Sequence, residues 1–254
     1  MSVEALTKLC DRRLQRSSKP RSNGTTGILD TGIGTRRIAD LLEVSGAHVD
    51  VAKIAWGSSL ITGHLVEKLV AYRSGDVEPM LGGTLFEYAY LRGQVDALLD
   101  AVRDLHVSIE ISDGVAEVPN GDKLRWIERF AVHTKVVSEV GGKGERQDRD
   151  WKRLVTEQLA AGASAIVVEG REIGPVGEPI REGFVDAIVD AAGGADNLVF
   201  EALERGQQLW LIQRFGPNVN LANIRPDDVL TLESFRQGLK EHTLLSMWNL
   251  AQRP

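Results

Sequence analysis

Residues 163–174 read ASAIVVEGREIG. A short β-branched run (165–168) ends abruptly in a carboxylate, a glycine and two more charged side chains. The apolar run is too short for a buried helix and has the composition of a strand with both faces covered. An amphipathic stretch precedes it (Trp151–Ala161) and another follows (Arg181–Ala191), both with the three-to-four spacing of a helix lying on a sheet. Gly162 sits where such a helix is capped.

The same unit recurs in both directions. Strands are expected at Thr26–Asp30, Val49–Ala55, Glu78–Leu81, Val107–Ser112, Thr134–Val140, Ala165–Glu169, Leu198–Glu201 and Asn218–Leu221. Helices are expected at Thr35–Val44, Leu60–Tyr72, Thr84–Leu105, Lys123–Ala131, Trp151–Ala161, Arg181–Ala191, Gln207–Phe215 and Pro226–Leu239. Eight strand–helix pairs predict a (β/α)8 barrel occupying residues 1–254 as one domain. A doubly wound open sheet is the alternative. Its glycine fingerprint should follow the first strand, whereas GTTGILDTGIG (24–34) runs across it.

With a formal charge of −6, the chain has no global field for nucleic acid or an anionic membrane. The basic stretch from Lys8 to Arg21 reads as solvated helix and loop. One cysteine, Cys10, excludes an intramolecular disulfide and a cysteine-based zinc site. With no leader-like or spanning apolar run, a cytoplasmic protein is expected. HExxH, GxSxG and CxxC are absent, and the five histidines do not cluster.

Barrel enzymes place their chemistry at the C-terminal ends of the strands. Here those ends carry Asp30, Glu110, Glu139, Glu169 and Glu201, together with Lys53, Lys143 and Arg171. Charges in low-dielectric surroundings must be paired or metal-bound. A mixed ring of this kind suits Mg²⁺, which takes a few carboxylates plus water and substrate oxygens. Alternating salt bridges filling the barrel mouth would produce the same pattern. Gly82 and Gly83 ahead of Thr84 read equally as a tight turn or as backbone N–H donors to an anion.

The segments AKIAWGSS (52–59), GGTLFEYAY (82–90), IEISDG (109–114), SEVGGK (138–143), VVEGRE (167–172), VFEA (199–202), FGPNVNLANI (215–224) and LESFRQGL (232–239) resemble the phosphosulfolactate synthase family, in unbroken order over about residues 21 to 242. The resemblance implies a Mg²⁺-dependent barrel that adds sulfite to phosphoenolpyruvate, giving (2R)-phospho-3-sulfolactate, and suggests a homo-oligomer. It implies catalytic roles for Lys143, Lys53 and Glu139, with Asp30, Glu110, Glu169 and Glu201 as metal ligands. Arg171, Gly82, Gly83, Gly216, Asn220 and Asn223 are the expected substrate or phosphate contacts. The chain departs from the family pattern at Thr31 and Gly142, where lysines are usual, and at Leu203, where proline is usual. A paralogue using another nucleophile or substrate, and a non-catalytic anion-binding barrel, are the rival readings.

Overall fold

Pairing of the short runs requires each strand to find its sequence neighbour, and it does. In the computed structural model, which describes residues 16–141, 150–174 and 177–252, strands β1 to β8 close into a parallel barrel in chain order. They are Thr26–Asp30, Val51–Ile54, Glu78–Leu81, Ser108–Ile111, Val136–Val140, Ala165–Val168, Leu198–Glu201 and Leu221–Ile224. The surrounding helices are α1 (Thr35–Ser45), α2 (Leu65–Ser74), α3 (Gly83–Leu91), α4 (Val95–Leu105), α5 (Asn120–Ala131), α6 (Trp151–Ala160), α7 (Gly170–Ile173), α8 (Glu182–Ala191), α9 (Arg205–Phe215), α10 (Val229–Arg236) and α11 (Leu244–Ala251).

Three expectations are corrected. The long helix 84–105 is two, α3 and α4, interrupted where Gly93 adopts φ +65°. The last strand is Leu221–Ile224, not 218–221. Residues 216–220 make the turn into it, with Gly216 at φ +89°, and Leu221 pairs with both Thr26 and Phe200. Helix α11 lies beyond the last expected helix. Gly162 does close α6, at φ +104° with its N–H on Leu159 O.

The two-residue period of a strand explains the layering. Ile28, Ala52, Ile54, Ile109, Ile111, Ile166, Val168 and Phe200 point outward into the main core under the helices. Phe200 stacks on Phe215 of α9 with centroids 5.6 Å apart. A fully buried side chain of this size contributes about 1.5–3 kcal/mol, and Phe200→Ala would cost about 3–5 kcal/mol. The alternate residues point into the barrel. Going up the strands, Val51 is followed by Lys53, Ser108 by Glu110, Val137 by Glu139, and Val199 by Glu201. An inner apolar layer of Met80, Val137 and Val167, flanked by Val51, Ala165 and Val199, therefore lies beneath a charged one. Small residues such as Gly27 and Ala165 leave a cavity of about 220 Å³ in this lower bore. None of the helices among the described residues is long and apolar enough to cross a membrane.

Candidate active site

The charged layer forms the floor of a cleft of about 340 Å³ at the C-terminal end of the barrel. Lys53 of β2 is its hub. Its Nζ donates to Glu110 Oε2 and to Glu201 Oε1, both at 2.8 Å. Burial alone would push this ammonium down, but the two carboxylates outweigh it and hold Lys53 well above its ordinary range. The other oxygens of the pair are also held. Glu110 Oε1 accepts the N–H of Gly83 at 3.1 Å, and Glu201 Oε2 accepts that of Gly170 at 3.3 Å. Lys53 and the hydrogen bonds from Gly170 and Asn223 keep Glu201 low despite its burial.

Glu139 faces the same space. Burial, then the charges of Glu110 and Glu201, raise its carboxyl well above the ordinary glutamate value. One oxygen from each of Glu110, Glu139 and Glu201 lies within 4.8 Å of the others. Glu169, 5% exposed, lines the cleft with them, and the exposed Arg171 stands at its mouth. Among the described residues, four carboxyl groups thus surround the ammonium of Lys53 in this layer, an excess of negative charge that a divalent cation would offset. The donors are hard oxygens, as Mg²⁺ requires. The buried Oδ1 of Asn223, whose side chain already serves Glu201, is a further oxygen with no hydrogen-bond partner among the described residues. These residues fit the ion.

Some expected positions do not join the site. Asp30 is on the outward register of β1, beside Ile28. It is wholly buried against α2, where its oxygens accept from Lys68 Nζ (2.8 Å) and Tyr72 Oη (2.7 Å) as well as the N–H groups of Gly32 and Ile33. It is therefore no part of the acid cluster. Asn220 immediately precedes β8, at the opposite end of the barrel. Its Oδ1 accepts from Thr25, and its Nδ2 donates to the Asp196 and Leu198 carbonyls. Gly216 also precedes β8, and its N–H closes α9 on Ile212 O. Gly82 and Gly83 do line the cleft, but their N–H groups bind Ile54 O and Glu110 rather than facing open space. Glycine is required there by crowding: a Cβ on Gly83 would sit 2.6 Å from Ser112 Oγ, and one on Gly82 2.9 Å from Trp56 N. Lys143 and Gly142 lie outside the described residues. Thr31 borders a separate cleft beside Lys68.

Several supporting residues were not anticipated. Lys123, 1% exposed on α5, donates to the Glu139 carbonyl (2.6 Å) and to Asp113 (2.8 Å). Glu87 of α3 accepts from Ser112 Oγ and from the N–H groups of Val115 (2.8 Å) and Ala116 (2.5 Å), fixing the loop after β4. Gln207 of α9 donates to the carbonyls of Gly170 (3.0 Å) and Gly174 (2.8 Å), holding α7 so that the Gly170 N–H meets Glu201. Trp56, in the left-handed region at φ 53°, forms a wall of the cleft. Lys68 gave one signal in sequence, a lysine on the apolar face Leu65–Leu69–Tyr72 of its helix. The acceptors of Lys123 and Gln207 are backbone carbonyls, which side-chain patterns do not reveal.

Comparison with known proteins agrees in fold and in family. Solved barrels match the architecture at low identity, among them a monomeric dihydrodipicolinate synthase variant (TM-score 0.61, 10% identity, covering 90% of this chain and 78% of that one). A 3-hexulose-6-phosphate synthase gives 0.54 at 12% identity, covering 82% of this chain and 97% of that one. These establish the fold alone. The chain is 41% identical to phosphosulfolactate synthase of Methanothermobacter thermautotrophicus, covering 90% of this chain and 94% of that one. It is 33% identical to the enzyme of the same name from Bacillus subtilis, covering 90% and 95%. Residues 14–242 match the family model described as (2R)-phospho-3-sulfolactate synthase (ComA). Over nearly its whole length, and with strand-end acids and lysine gathered at one rim, this chain belongs to the (2R)-phospho-3-sulfolactate synthase family of enzymes.

Proposed function

We propose that the protein catalyses the Mg²⁺-dependent addition of sulfite to phosphoenolpyruvate, giving (2R)-phospho-3-sulfolactate. The observation that carries this reading is the Glu110–Glu139–Glu201 oxygen cluster around Lys53, in a chain of this family. Glu110, Glu139 and Glu201 would hold the ion, with Glu169 and Asn223 adjoining. When bound, Mg²⁺ supplies Lewis-acid stabilisation of negative charge on the substrate carboxylate.

The sulfite lone pair forms the C–S bond at the methylene carbon of phosphoenolpyruvate. The displaced π electrons move into the carboxylate, and a proton then arrives at C2. The chain's own groups manage the charges. Arg171 at the mouth attracts and orients the anions. Lys53, kept cationic by its two carboxylates, offsets charge at the floor and fixes those carboxylates in place. Lys143 is assigned the proton donor at C2, delivering to one face and so setting the configuration. Trp56 and Leu203 supply apolar walls that exclude water beside the reacting carbons. A cytoplasmic homo-oligomer is part of this reading, supported by the lone cysteine and by the exposure of Trp248 and its neighbours Leu244 and Leu245 on α11.

Incubation of the purified protein with phosphoenolpyruvate, sulfite and Mg²⁺ tests the assignment. The enol absorbance should disappear only when all three are present. Turnover with a different nucleophile but not with sulfite would replace the reading with a paralogous activity. Tight anion binding without any turnover would replace it with a non-catalytic role.

A further inference from the structure

Below the charged layer the barrel is hollow. Three positions there carry only a hydrogen or a methyl group: Gly27 of β1, Ala165 of β6 and Ala222 of β8. Together with Met80, Val137 and Val167 they bound a cavity of about 220 Å³. Its roof is the underside of the active-site floor, since Lys53, Glu110 and Asn223 line both this space and the cleft above. Its lower edge lies at the N-terminal ends of the strands. The partly exposed Lys135–Glu78 ion pair (2.9 Å) and the exposed Asp196 stand there, so the cavity is reached from the face opposite the cleft.

The chemistry of the wall selects the occupant. Its buried polar side chains spend their donors within the wall. Ser108 Oγ donates to the Pro79 carbonyl (3.2 Å) and Ser164 Oγ to that of Val136 (2.7 Å). The Asn220 amide donates to the carbonyls of Asp196 (3.2 Å) and Leu198 (3.0 Å). At the roof, Lys53 is held by Glu110 and Glu201. Among the described lining residues, the buried side-chain atom without a hydrogen-bond partner is Asn223 Oδ1. One acceptor falls short of the roughly two to four partners that hold a buried water. An ion would fare worse, because charge without solvent or a counter-charge is costly. Apolar cavities of about 150 Å³ take up benzene or xenon, and this one is larger.

We propose that the lower bore is a binding site for one small, neutral, apolar molecule, up to the size of a single aromatic ring, entering from the N-terminal face of the barrel. The occupant lies against Met80, Val137 and Val167, beneath the Lys53–Glu110 pair, and keeps water from the lower face of the charged layer. This site is independent of the chemistry proposed for the cleft.

The test combines melting and crystallography, with benzene and xenon as the probes. Benzene titrated up to its solubility should raise the melting temperature of the wild-type protein saturably, by about 2–4 °C. Ala165→Leu, which fills the space, should erase that rise. Independently of that variant's folding, a wild-type crystal pressurised with xenon should show an anomalous peak among Met80, Val137 and Val167. Ordered water in the bore and no xenon peak would overturn the proposal. So would a benzene effect that survives in Ala165→Leu, since the ligand would then act elsewhere. A xenon peak without any change of melting in benzene would mark binding at crystal concentration only, and would overturn it equally.

Discussion

The ammonium of Lys123 donates to the backbone carbonyl of Glu139, 2.6 Å away. A helix side chain thus holds the end of the strand that delivers Glu139, whose carboxyl is raised by burial and its acidic neighbours, and the same ammonium holds Asp113 of the preceding strand's loop. Removing it takes a donor from a carbonyl and from a largely buried carboxylate. Lys123→Met should cost roughly 3 kcal/mol, a little below a wholly buried pair because Asp113 retains some exposure. Urea denaturation measures this. Adding Asp113→Asn should recover part of the loss, and an unchanged midpoint in the single variant would refute the brace.

Asp30 separates stability from metal binding. It is buried with Lys68 and Tyr72 outside the acid cluster. Asp30→Asn is expected to lower stability by about 3 kcal/mol. Its Mn²⁺ affinity, read by calorimetry, should stay within about twofold of wild type. A tenfold loss of affinity with unchanged melting would return Asp30 to the metal site.

Glu139 should make metal binding pH-dependent. Burial and its acidic neighbours raise its folded value, so the protonated form is favoured in the metal-free protein. Its contribution to stability is full below the ordinary glutamate value and is lost as pH rises through the raised one. Over that window the metal-free protein should lose stability while Mg²⁺ affinity grows, and binding should release a proton. Melting curves with EDTA and with Mg²⁺ across pH, and calorimetry in buffers of different ionisation enthalpy, check both signs. Glu139→Gln should abolish the proton release.

Lys143→Ala tests the assigned proton donor. Turnover should fall by about 10²–10⁴-fold, with melting temperature and Mn²⁺ affinity near wild type. Near-normal turnover would remove Lys143 from that role.

The alternation of apolar runs and amphipathic stretches was enough to read the barrel, because parallel strands covered on both faces announce themselves as short β-branched segments. The acids of strands four, five and seven were legible for the same reason, as charges where an apolar run stops. Asp30 shared that signature and still fell outside, because its parity with Ile28 rather than Leu29 turns it toward α2. One residue of phase decides between site and scaffold. The eighth strand was misplaced because LANI is poor in β-branched residues while GPNVN mixes turn and strand signals. The support from Lys123 and Gln207 was out of reach, since both act on main-chain carbonyls whose positions exist only after folding.

The hollow lower bore has a mechanical consequence. Space lined by apolar Met80, Val137 and Val167 that water leaves empty is volume that the native chain holds and the unfolded chain does not. Hydrostatic pressure therefore favours unfolding, and more so than in a barrel filled to its base. Widening the void with Val167→Ala should lower the pressure midpoint, and filling it with Ala165→Val should raise it.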